Sequence, residues 1–268
     1  MNDLLARFGL HTLPFTRELP VELRFAHPGF DEARELLESA VEKRMSAALV
    51  GPAGTGKSAL LRALVDELPA ARYRTHYVKV TDLSKRDLCR EIAAAAGATP
   101  AGSYPRLVRT LQERFEASLV TDGLRTVLIL DDAHDVRPDV LAILRVLTNF
   151  EMDSRLVLSV VLSGQPKLRA LLRRDPLEDV ARRLAGIATL APLSREETKD
   201  YVTHRMNVAG ADTIPFTAHA FDALYETGRG NLRATDTLAL AALEAAAARD
   251  QEKVDANQVA EARRRVLP

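Results

Sequence analysis

Ser46-Ala-Ala-Leu-Val50, running straight into Gly51-Pro52-Ala53-Gly54-Thr55-Gly56-Lys57-Ser58-Ala59, is the stretch that decides the fold. The first five residues read as a short buried strand, and Lys57 to Leu68 reads as a helix. Between them, Gly51 to Ser58 matches G-x-x-x-x-G-K-[ST] without a gap. Average residue usage yields such a match by accident in about one chain of this length in a hundred. A strand before the loop and a helix after it make the match a phosphate cradle, because loop and helix-terminal N–H groups face the phosphate oxygens. Gly54 and Gly56 allow close backbone approach. Lys57 reaches the β- and γ-phosphates, and Ser58 ligates Mg²⁺. Gly51, Pro52, Ala53, Thr55 and Ala59 complete the nucleotide contact. The reading is ATP or GTP binding with magnesium.

Working outward, the same alternation recurs. A helix is expected from about Phe30 to Arg44, and strands at Thr75–Val80, Thr126–Leu130, Leu156–Ser163 and Ile187–Leu190. Helices are expected at about Ser84–Ala96 and Tyr104–Val120, and one opened by Pro138 carries Val140, Ile143, Leu144 and Leu147. The run Thr126–Leu130 is apolar throughout, as in a strand covered on both faces of a parallel sheet. After Pro192 only helices follow, beginning near Ser194, Thr217, Asn231 and Asp255, the first with a Ser194/Glu197 capping box. Strands alternating with helices, then helices alone, predict an α/β domain over 1–192 and an α-helical lid domain over 193–268. The first range opens with an irregular strap, Phe8 to Phe15, where Pro14 and Pro20 block regular helix.

Composition sets outer bounds. The chain has 268 residues, 47% of them hydrophobic and 28% charged, as in a globular protein. Thirty-seven lysines and arginines balance thirty-seven acidic residues, so any nucleic-acid contact must come from a local patch. The single cysteine, Cys89, excludes an internal disulfide and any multi-cysteine metal site. Charges between Met1 and Arg17 interrupt any secretory h-region, and Leu156–Leu162 is too short to span a bilayer. The expectation is a cytoplasmic protein without a membrane partner.

The strand Thr126–Leu130 ends in Asp131-Asp132-Ala133-His134. An apolar strand ending in carboxylates is the Walker B arrangement, assigning Asp131 to Mg²⁺ and Asp132 to the attacking water. The alternative is that either aspartate caps the next helix. A polar residue ending the fourth strand should sense the γ-phosphate: Ser163, with Gln165 behind it, or simply a turn residue at that place.

The order of strap, P-loop, D-[DE]-A-H, S-G-Q-P-x-L (from Ser163), an R-R-L helix (Arg182 to Leu184), P-L-S-x-E-E-T (from Pro192) and G-x-L-R (Gly230 to Arg233) resembles AAA+ ATPases of the ExeA/TnsC/TniB group. That group includes a type II secretion ATPase and the ATP-dependent transposition regulators functionally akin to MuB and IstB. The resemblance covers essentially the whole chain. It implies a sheet ordered 5-1-4-3-2, a helical lid, and an active site shared between protomers of a homo-oligomeric ring or filament. On matching positions, Arg183 corresponds to the trans-acting arginine finger, with Arg182 as the second candidate, and Arg233 to the lid arginine. A solvated charge is the plainer account of each. The adenine is expected between strap and lid, with Phe15, Phe25 and His27 as candidate lining; Phe15 stands in a recurrent L-P-F element. Core packing is the alternative for both phenylalanines, and capping before Pro28 for His27. The group generally carries Asp-Glu where this chain has Asp131-Asp132, and the shorter side chain implies slow hydrolysis.

Lys79, Lys85, Arg86, Arg106 and Arg109 form a candidate basic lining for the pore of a DNA-encircling ring, or else ordinary solvated charges. The resemblance implies an ATP-dependent regulator of transposition with three kinds of partner: duplex DNA, a transposase and a target-selection protein. A secretion-assembly ATPase like ExeA, with a membrane partner, is the alternative. The absence of an anchor before Pro268 weighs toward the first.

Overall fold

The structure, a computed structural model, describes residues 2–266; residue 1 and residues 267–268, the outer ends of the two expected ranges, lie outside the described residues. The elements in chain order are α1 (Asn2–Arg7), α2 (Pro28–Glu42), β1 (Ser46–Val50), α3 (Lys57–Glu67), β2 (Tyr73–Lys79), α4 (Lys85–Ala95), α5 (Tyr104–Val120) and β3 (Arg125–Asp131). Then come α6 (Pro138–Leu141), α7 (Ile143–Leu147), β4 (Leu158–Gly164), α8 (Lys167–Leu172), α9 (Glu178–Ala181) and β5 (Leu184–Thr189). The chain closes with α10 (Arg195–Val208), α11 (Ala218–Gly228), α12 (Leu232–Ala247) and α13 (Ala256–Val266).

Two compact units emerge. One comprises Pro28–Pro52 and Lys57–Leu190 and holds the whole sheet. Its order is β2-β3-β4-β1-β5, the expected order read from the other edge, and all four pairings are parallel. β1 and β4 are buried at every residue, which explains their unbroken apolar character. Helices α4, α5 and α7 build the core beside them through Leu88, Ile92, Leu107, Leu111, Phe115 and Leu144. Cys89 lies in the same core, where burial pushes its thiol up to about 12.

The other unit comprises the residues up to His27, Ala53–Gly56, and everything from Ala191 on. Its core joins Leu4, Leu10 and Phe15 to Val202, Met206, Leu224, Leu238 and Leu243. The strap read with the first range therefore packs among the C-terminal helices, led by α1, a helix the sequence reading did not include. Ser194 and Glu197 make the expected capping box, and Thr217 and Asn231 cap α11 and α12.

Three local expectations need correction. The helix opened by Pro138 breaks at Ala142, where a three-residue-back bond from Arg145 to the Ala142 carbonyl tightens the backbone. β4 begins at Leu158 instead of Leu156, because Phe150 and Arg155 pair across a tight loop first. The R-R-L segment is not helical throughout: Arg182 and Arg183 follow the four-residue α9, and Leu184 opens β5.

Candidate nucleotide site

In the sheet-bearing unit the site stands where three strands end. β1 leads into Gly51, whose N–H donates to the Gly164 carbonyl at 3.1 Å; β3 ends at Asp131; and β4 carries Ser163 beside Leu49. Parallel strands place all their C-terminal ends on one edge, so residues far apart in sequence converge there. Lys57 opens α3. Its Nζ donates to the carbonyls of Gly51 at 2.8 Å and Pro52 at 2.9 Å, folding the ammonium back along the loop.

Asp131 is 5% exposed and thoroughly held. Its Oδ1 accepts the Asp132 N–H at 3.0 Å, and its Oδ2 accepts the Tyr77 hydroxyl at 3.0 Å. Ser58 Oγ lies 3.5 Å from the same Oδ2. Burial, then the neighbouring carboxylate, pushes the Tyr77 hydroxyl up to about 12, so it remains a donor at working pH. Asp132 sits in the left-handed region, φ 59°, which aspartate tolerates better than most residues, and caps nothing with its side chain. Lys79 lies 3.4 Å from its Oδ2.

Ser163 Oγ and both ring nitrogens of His134 are buried with no hydrogen-bond partner among the described residues. Burial holds His134 below its ordinary value, despite Asp135 at 3.4 Å and Asp132 at 4.0 Å in directions off the hydrogen-bond line. An unpartnered buried hydroxyl at a strand end beside the loop is what a γ-phosphate sensor requires, since orphaned polar groups are rare in cores. Ser163 is among the residues expected at the site, whereas Tyr77 and His134 are not. The tyrosine was invisible because its partner lies one strand away, while His134 was quoted only as part of the acidic motif.

In the second unit, the loop residues Ala53–Gly56 stand beside the start of α12. Asn231 Nδ2 donates to the Ala53 carbonyl at 2.5 Å, and the Arg233 N–H donates to the Gly54 carbonyl at 3.3 Å. Gly54 has φ +79°, and a Cβ there would run into the Asn231 amide. Phe15 is 4% exposed and packs edge-on to Phe216, with the Arg205 guanidinium over its ring, so its face is committed to this core. Phe25 stacks on His27, whose Nδ1 is 3.6 Å from Glu197. Arg205, Asp236 and Tyr201 form a buried network whose Arg205 also donates to the Thr16 carbonyl at 2.7 Å, fixing the strap.

The two finger candidates differ. Arg183 donates to both carboxylate oxygens of Asp153, at 2.6 and 2.9 Å, and to Thr148 Oγ1 at 3.3 Å; its side chain is 25% exposed. Arg182 is 72% exposed and pairs only with Glu178. Of the candidate DNA contacts, Lys79 pairs with Asp132 and Lys85 with Asp139 at 3.7 Å, whereas Arg86, Arg106 and Arg109 are exposed and make no ion pair among the described residues.

Comparison with known proteins fits this geometry. The AAA domain family matches residues 41–172. Over its described length the chain resembles Cdc6p from Pyrobaculum aerophilum, with TM-score 0.75 at 18% identity, covering 94% of this chain and 70% of that one. The sheet order and these likenesses define a P-loop AAA+ fold. The ORC1 protein of Aeropyrum pernix, solved in complex with DNA, shares the AAA+ fold at TM-score 0.66 and 19% identity, with 92% and 68% of the two chains covered. In sequence, the chain is 34% identical over 210 residues to general secretion pathway protein A of Aeromonas hydrophila. That match spans 77% of this chain but only 38% of the relative. No helix among the described residues is long and apolar enough to cross a membrane.

Proposed function

We propose that this AAA+ chain is a magnesium-dependent ATPase that assembles as a ring or helical filament on duplex DNA and regulates transposition, recruiting or activating a transposase, with slow hydrolysis driving disassembly. The observation that carries the chemistry is the convergence of Lys57, Ser58, Asp131, Asp132 and the orphaned Ser163 on one sheet edge.

Those residues fit a nucleotide with its metal. Gly54 and Gly56 hold positive φ, as a phosphate-wrapping loop requires, and Ser58 with Asp131 makes an all-oxygen donor set suited to Mg²⁺. Ser58 and Asp131 would hold the metal, which would supply charge neutralisation to the phosphates. Lys57 exchanges its loop carbonyls for phosphate, Asp132 orients the attacking water, and Ser163 offers its hydroxyl to the γ-phosphate. Arg183 of an adjoining copy and Arg233 complete the charge neutralisation in the resemblance-based reading.

Asp132 sets the rate. Asp132→Glu, which extends the carboxylate by one methylene, is expected to speed single-turnover hydrolysis about tenfold. The gain comes despite a modest stability loss, since glutamate is less at home at φ 59°. An unchanged rate would remove Asp132 from the water-orienting role.

Three exposed arginines, Arg86, Arg106 and Arg109, with no ion pair among the described residues, and two exposed lysines support the DNA part, as does the fold likeness to a protein solved with DNA. Identity to general secretion pathway protein A favours a second reading, in which this module powers secretion assembly with a membrane partner. Duplex-DNA binding with a non-hydrolysable ATP analogue separates them. The first reading expects binding that falls steeply with salt, and polymers on DNA by electron microscopy. Absence of binding at low salt in every nucleotide state favours the second.

A further inference from the structure

We propose that Tyr77 is a positioning residue for the magnesium site, holding the Asp131 carboxylate so that Ser58 presents its oxygen to the metal. The assignment rests on the ATPase reading above and names a residue on a strand that the nucleotide motifs do not include.

β2 is the outer strand of the sheet, pairing with β3 in register, so Tyr77 stands opposite Ile129 and Lys79 opposite Asp131. Two-residue alternation puts Thr75, Tyr77 and Lys79 on one face. Tyr77 is 53% exposed as a residue. The hydroxyl nevertheless donates inward, to a buried carboxylate oxygen at 3.0 Å. A hydroxyl donating to a carboxylate makes one of the stronger hydrogen bonds available to it.

The consequence is rotational. A carboxylate held only by the Asp132 N–H on Oδ1 can still swing about its terminal torsion, which is broad and soft. The second donor, on Oδ2, fixes the plane. Oδ2 is also the oxygen 3.5 Å from Ser58 Oγ. With that oxygen stationary, the Ser58 proton has a fixed acceptor, which would leave the hydroxyl's lone pairs free for a metal. Lys79, one alternation further along, supplies the partner for Asp132, so a single edge strand serves both carboxylates.

Replacement of tyrosine by phenylalanine removes the hydroxyl and keeps the ring. Titration of the purified full chain with Mn²⁺ in the presence of a non-hydrolysable ATP analogue, followed by electron paramagnetic resonance, reads metal affinity directly. Tyr77→Phe is expected to weaken Mn²⁺ binding about three- to tenfold, the range for one lost hydrogen bond. Affinity for the metal-free analogue should be unchanged, and in steady state the Mg²⁺ half-saturation should rise by the same factor while kcat at saturating Mg²⁺ stays within about twofold. A Tyr77→Phe titration that superimposes on the wild type overturns the assignment. So does an equal shift in Thr75→Ala, which keeps the Tyr77 hydroxyl and would report general loosening of β2. Asp131→Asn is the internal standard, expected to lose metal-dependent binding. Wild-type protein that binds neither Mn²⁺ nor nucleotide would overturn the ATPase reading itself, and this assignment with it, a result distinct from a normal wild type beside a normal Tyr77→Phe.

Discussion

Arg183→Ala is expected to hydrolyse ATP about a thousandfold more slowly than the wild type under assembling conditions, with nucleotide affinity nearly unchanged. The magnitude is the lower end of what an arginine finger contributes, roughly 10³ to 10⁵ in rate. Both terminal nitrogens of Arg183 are engaged by Asp153 within the same chain. Magnitudes decide the matter. Asp153 is half exposed, and a pair of that kind is worth only about 0–1 kcal/mol. A thousandfold rate effect corresponds to about 4 kcal/mol. In the proposed role Arg183 exchanges Asp153 for a neighbouring γ-phosphate, and Asp153→Asn should raise activity no more than about fivefold. The decisive measurement mixes each variant with Asp132→Ala protein: a finger mutant supplies a competent pocket, the Asp132 mutant supplies a competent finger, and activity returns only in mixed assemblies. Loss of activity in Arg182→Ala, with Arg183→Ala normal, would transfer the role to the more exposed neighbour.

Lys57→Ala should weaken ATP binding about tenfold to a hundredfold and abolish hydrolysis. The ammonium already makes two bonds to loop carbonyls, at 2.8 and 2.9 Å, so its loss deprives both the loop and the phosphates of a charged donor. Hydrogen bonds to charged groups contribute about 1.5–3 kcal/mol each, which sets the range. Calorimetry checks the affinity and single-turnover assays the chemistry. Near-normal affinity in a folded Lys57→Ala protein would dismiss the phosphate-cradle reading.

Much of this was legible in the residues because it depends on local chemistry. The strand Ser46–Val50 and the helix Tyr104–Val120 match their expected bounds, since an apolar run of five and an amphipathic period over seventeen residues leave little choice. Ser84, Ser194, Thr217 and Asn231 announced their helices because a cap is a short-range hydrogen bond. What escaped depends on partners distant in sequence. β5 was placed short because Leu184–Gly186 are only partly covered and lack a clean apolar pattern. The Tyr77 contact with Asp131 joins residues 77 and 131 through strand register, which no single-sequence pattern encodes. The Arg183 pair with Asp153 depends on three successive left-handed residues, Glu151 to Asp153, none of them glycine.

The strap has a practical corollary. Leu4, Leu10 and Phe15 fill the same apolar interior as α10 and α12, and Arg205 grips the Thr16 carbonyl. Residues 2–27 and 191–266 thus fold as one body, with the sheet inserted between them in sequence. Removing residues 2–24 would strip α10 and α12 of their filling, so the damage would surface in helices far along the sequence from the cut.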